Sequence, residues 1–171
     1  DQKEVVLTEL LDLVDSITTK QSAYLKKNSK NSLEIGFSVP YWFDNENKNI
    51  KSVTWQGKTG PTIYHIMDRL NTLPKSNVVV MTYRNAARGN DGVIAHSRNE
   101  IEYAQYKAAN VKVIIGQELT DVKPAKITYF GMTIAEMSRE MGLIKQEFAS
   151  SNVLGGVAIN DLAGITLMQD K

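Results

Sequence analysis

Four short apolar runs, separated by stretches of helical periodicity, constrain this chain more than any other feature. They lie at 31–40 ("NSLEIGFSVP"), 77–83 ("NVVVMTY"), 111–116 ("VKVIIG") and 154–160 ("LGGVAIN"). The second, third and fourth are apolar over most of their length, as strands buried on both faces of a parallel sheet require. The first alternates Leu33, Ile35, Phe37 and Val39, and Pro40 ends its ladder because it has no N–H to donate. Between and before these runs, apolar residues recur three and four apart. Residues 4–27 carry Leu7, Leu10, Leu11, Val14, Ile17, Tyr24 and Leu25 in this way, and Ile63, Ile66, Met67, Leu70 and Leu73 form a second stripe. A third helix is expected near 92–109, ending at Asn110. A fourth is expected after Thr133, where Thr133 and Glu136 make a capping box. "KITYFG" at 126–131 reads as a short extra strand, and only ten or so residues come after the last run. Strands alternating with helices predict an α/β fold with a parallel sheet.

At 171 residues the chain is long enough for one sizeable core, and no Gly/Ser/Pro-rich linker divides it, so 1–171 reads as a single α/β domain. Twenty basic residues against nineteen acidic ones, with only five arginines scattered along the chain, lack the basic face of a nucleic-acid binder. No apolar stretch is long enough to span a membrane. The absence of cysteine removes thiolate metal sites and a cysteine nucleophile, and it fits the cytosol and a bacterial exterior alike. His65 and His96 fall on predicted helices, away from the strand exits, and two separated histidines do not make a metal site. No G-x-G-x-x-G or Walker sequence is present, so neither a nucleotide nor another cofactor is expected.

Ligands of parallel α/β folds sit at the carboxyl ends of the strands. The first exit supplies Tyr41, Trp42 and Asp44, and the second Tyr83, Arg84 and Asn85. The third supplies Gln117 and Glu118, and the fourth Asn160 and Asp161. Aromatic rings stack on the apolar faces of sugars while amides and carboxylates bind hydroxyls, so this set reads as carbohydrate-binding. Glu118 and Asp161 are the candidate catalytic carboxylates, with Asp44 the remaining one at an exit. Each has a plainer reading: Glu118 in a salt bridge with Arg84, Asp161 capping the segment after its strand, Tyr41 and Trp42 plugging the mouth.

"VVVMTYRN", "VKVIIGQEL", "KITYFGMTIAEM" and "GGVAIND", in this order, resemble the second half of a glycoside-hydrolase-like (β/α)8 barrel. The resemblance is distantly to the family 18, chitinase-like, hydrolases. It implies strands five to eight of a TIM barrel, with a four-stranded open parallel sheet as the alternative. The family's Asp-x-x-Asp-x-Asp-x-Glu strand is absent, Arg84 stands where an Asp usually comes after the sixth-strand Tyr, and Asn160-Asp161 stand where a Trp is usual. The resemblance therefore implies a sugar-binding half without the general acid, or a non-catalytic carbohydrate-binding domain. Two free sheet edges would make a homodimer, or association with a missing N-terminal half, the expected assembly.

Overall fold

The computed structural model describes residues 2–28, 33–44 and 52–168. Helix α1 (Gln2–Lys27) leads into strand β1 (Ile35–Pro40) and a 3-10 turn at Tyr41–Asp44. A hairpin comes next, β2 (Val53–Trp55) and β3 (Lys58–Gly60), and then α2 (Thr62–Leu70) and β4 (Ser76–Met81). The chain continues through α3 (Arg98–Lys107), β5 (Val111–Glu118), α4 (Ile134–Glu147), β6 (Leu154–Asn160) and α5 (Leu162–Leu167). The fold is α/β, and its main sheet is parallel, in the order β1-β4-β5-β6. The strands therefore pair in chain order, without the reversal that makes a switch point in a doubly wound sheet.

Register explains which face is buried. Val39, Val80 and Ile115 are aligned across three strands, as are Val78 and Val113, and these five are almost wholly buried. They join one core with Leu11 and Val14 of α1, Ile63, Ile66 and Leu70 of α2, Ile101 and Ala104 of α3, and Ile144 of α4. Period 2 sends the alternate residues to the opposite face. There Gly36, Ser38 and Lys112 are exposed, and Asn77, Val79, Met81 and Ile114 are only partly buried. None of these belongs to a core cluster. Among the described residues the helices thus cover one face of the sheet and leave the other open.

The capping box forms as the sequence predicts: Thr133 Oγ1 accepts from Glu136 N–H, and Glu136 Oε2 accepts from Thr133 N–H at 2.8 Å. Several expectations are corrected. The first run pairs only from Ile35, and its residues 31 and 32 lie outside the described residues. The extra strand at 126–131 does not form. Ala125–Ile127 is a 3-10 turn, and the Thr128 hydroxyl bonds the carbonyl of Thr120, fastening this segment to the end of β5. Helix α3 starts at Arg98, not near 92, because 92–97 is a run of turns in which the Ser97 hydroxyl returns to Val93 O. The β2–β3 hairpin was not expected. It closes on Gln56 and Gly57, both at positive φ, as a two-residue hairpin turn demands. The last strand also has a helix after it, the six-residue α5.

Replacing Thr133 by Ala removes the reciprocal cap at the exposed start of α4 and should destabilise the protein by about 1 kcal/mol. Thermal or urea unfolding of the variant against the parent measures this, and an unchanged midpoint would show the box to be idle.

Candidate functional site

The carboxyl ends of β1, β4, β5 and β6 lie at one rim, and the chain turns sharply there. Tyr83 holds φ at 20°, a region that side-chain-bearing residues rarely occupy, just past the end of β4. Tyr83 and Arg84 go to different sites: Tyr83 lines a cavity on the open face of the sheet, and Arg84 lines a cleft between the loops after β4 and β5.

The open-face cavity, about 270 Å³, is lined by Ser38, Val79, Met81, Tyr83, Gly116, Gln117, Ala158, Ile159 and Asn160. Its floor exists because Gly116 and Ala158 are small where the strands pair. A Cβ on Gly116 would come within 3.1 Å of Val80 O. Next to it, Glu118 is 5% exposed, and its carboxylate is saturated by neutral donors. Thr120 gives its N–H at 2.7 Å and its hydroxyl at 2.6 Å, and Asn160 gives Nδ2–H at 2.8 Å. Burial pushes the Glu118 carboxyl up, but these donors prevail and hold it below its ordinary value, so it is an anion at neutral pH. Burial, and then the Glu118 charge, raise the Tyr83 phenol, which stays protonated and able to donate.

Gln117 completes this rim and is fully buried. The single proton of Thr82 Oγ1 goes to Gly116 O at 3.2 Å, so Thr82 can only accept from Gln117, at 2.9 Å. That contact fixes the Gln117 amide with its NH₂ towards Thr82. Its carbonyl Oε1 is buried without a partner among the described residues. Such an acceptor is costly to leave bare.

The loop cleft is built around Asp91. Arg84 donates to Asp91 Oδ1 from Nε at 2.8 Å, Lys126 Nζ reaches Oδ2 at 2.6 Å, and His96 Nε2 lies 2.9 Å from Oδ1. Hydrogen bonds from Lys126 and then His96, with Arg84 beside them, hold the Asp91 carboxyl far below the usual carboxylate range. Arg84 also donates from Nη1 to Tyr83 O and from Nη2 to the Tyr41 hydroxyl, and its guanidinium lies over the Tyr41 ring.

The residues expected from the strand exits therefore divide. Tyr83, Glu118 and Asn160 come together at the open-face cavity, while Tyr41 and Arg84 belong to the Asp91 cluster. Asn85 fastens the two loops, its N–H to Lys126 O and Nδ2 to Ala125 O. Asp44 is buried and accepts from Asn99 Nδ2 at 2.9 Å. Trp42 is 37% exposed and packs edge-on against Tyr41. Asp161 caps α5, accepting from Gly164 N–H at 2.9 Å. No Arg84–Glu118 salt bridge is present, because Arg84 turns to Asp91. His65 is buried in α2 near Val53 O, as a packing histidine. His96, by contrast, stands at the strand exits, its ring 4.2 Å from that of Tyr41. Asp91, His96 and Lys126 carry no sequence motif, so spacing alone could not find them.

Among the described residues no group of three or more His, Asp or Glu side chains is placed to hold a metal ion, and no helix is long and apolar enough to cross a membrane. Comparison of the chain with protein-family models, with curated proteins and with solved structures returned no match.

Replacing Asp91 by Asn should destabilise the protein by about 1 kcal/mol near neutral pH, a modest loss because the carboxylate is half-exposed and screened. A depressed folded pKa stabilises above the ordinary carboxylate value, and that contribution fades as pH falls towards the folded value. The gap between parent and variant should therefore shrink from about pH 5 to about pH 2. Urea unfolding across that range tests the sign, and a gap that widens on acidification would contradict it.

Proposed function

We propose that this chain supplies the sugar-binding wall of a glycoside-hydrolase-like (β/α)8 half-barrel and does not by itself carry the catalytic acid. The observation that carries the reading is the open-face cavity at the strand ends. Its rim offers hydroxyl, phenol and amide groups above a floor of apolar and small residues, the pairing that a pyranose ring with its hydroxyls needs. Four parallel strands in chain order, helices on one face only and an uncovered opposite face support the half-barrel part of the reading.

Glu118 favours binding over turnover. A two-carboxylate hydrolase uses one acid of raised pKa and one ionised carboxylate. Glu118 suits only the second role, and Asp161 is engaged at the start of α5. Hydrolysis would need an acid from outside the described residues; without it the domain is a carbohydrate-binding module.

Calorimetric titration with neutral oligosaccharides of different linkage tests the reading. Tyr83→Phe and Ser38→Ala should each weaken binding, by up to about tenfold, with unfolding midpoints close to the parent's. Failure of every saccharide to bind, or equal binding by parent and variants, would remove the assignment. Closure of the open face, by a second copy or by a further half-barrel, belongs to the same reading. The apolar Val157, Ile159 and Leu162 at the β6 edge, and Val6, Leu13 and Tyr24 on one exposed stripe of α1, fit such a closure. Light scattering should find the chain associated, and a clean monomer at high concentration would count against the half-barrel.

A further inference from the structure

The cleft between the loops after β4 and β5 has a character opposite to that of the open-face cavity. It encloses about 270 Å³ and is lined by Arg84, Asn85, Ala86, Arg88, Gly89, Asp91 and Lys126. Three cations against one carboxylate leave the lining with two positive charges in excess. The distribution of donors sharpens this. Arg84 is committed to Asp91, to Tyr83 O and to the Tyr41 hydroxyl, and it serves as a support. Lys126 spends one of three ammonium protons on Asp91, and its side chain remains 60% exposed. Arg88 is exposed and makes no ion pair or hydrogen bond among the described residues. An exposed guanidinium and an ammonium with protons to spare thus face one cleft, which Asn85 holds in shape by fastening its two walls.

We propose that this cleft binds an oxyanion, a carboxylate or a phosphate group, through Arg88 and Lys126, with Arg84 and Asp91 as its scaffold. A guanidinium offers paired N–H donors that match the two oxygens of either group, and an ammonium adds a point charge beside it. Because the cleft and the open-face cavity flank the same residue pair, Tyr83-Arg84, one ligand can fill both. Its neutral hydroxyls then meet Ser38, Tyr83 and Asn160, and its anionic substituent meets Arg88 and Lys126. That the carrier is an acidic saccharide rests on the function proposed above; the oxyanion site itself rests on the charges of the cleft alone.

The test titrates the parent chain, Arg88→Gln and Lys126→Gln with three probes: a galacturonic-acid trimer, the neutral galactose trimer and inorganic phosphate. The acidic trimer should bind the parent about fivefold more tightly than the neutral one, and either substitution should abolish that advantage. The advantage should also fade as salt is raised, since the groups involved are exposed. Arg88→Gln should unfold at the parent's midpoint, because its guanidinium supports no other residue among those described. Equal binding of the two trimers, with no binding of phosphate, overturns the oxyanion site and leaves the carbohydrate reading standing. Phosphate binding that depends on Arg88, with neither trimer bound, supports the site and removes the saccharide. Absence of any binding that depends on Arg88 overturns the proposal.

Discussion

The structure depends on one-sided burial of a parallel sheet. Val78 and Val80 of β4, Val111, Val113 and Ile115 of β5 and Val39 of β1 all face the helices and are almost wholly removed from water. At about 25 cal/mol per Å² of apolar surface, that layer is the main force holding the strands in register. A slip of one residue would turn each of these side chains to the open face. The same alternation puts Ser38, Val79, Met81, Gly116 and Ala158 on the uncovered side, where the cavity forms. The site is therefore a by-product of the packing: small residues under a rim of polar strand ends.

Two carboxylates organise that rim, and they do so with different partners. Glu118 is surrounded by neutral dipoles, the Thr120 amide and hydroxyl and the Asn160 amide, so its negative charge remains uncancelled beside the open-face cavity. Asp91 is surrounded by cations, and more positive charge stands around it than it can neutralise. Adjacent sites of opposite sign arise within a few residues of the β4 exit. Tyr83 lines one and its neighbour Arg84 the other. The fold holds this arrangement through loop-to-loop bonds. Asn85 joins the loop after β4 to the one after β5, and Glu140 of α4 accepts from Ala87 N–H at 2.8 Å.

Much of this was legible in the chain. The apolar runs and helical stripes determined the α/β class, the parallel strands and their order along the chain, because burial on a given face imposes a fixed spacing of apolar residues. The T-x-x-E box marked the start of α4, because a cap is satisfied within four residues. The exit rule placed Tyr83, Glu118 and Asn160 at one rim, because a strand end delivers its side chains wherever the sheet's rim lies. The β2–β3 hairpin escaped because strands of three residues show no periodicity, and only Gln56-Gly57 marked its turn. The start of α3 was misplaced because the Ser97 hydroxyl and the turns of 92–97 compete locally with the helix. Tertiary structure alone decided the charges of the site. Whether Arg84 meets Glu118 or Asp91, whether Gln117 leaves its carbonyl bare, and whether His96 and Lys126 join the exits all depend on contacts between loops far apart in sequence. Such contacts are through-space hydrogen bonds with no period and no motif, so they exist only once the sheet has brought its ends together.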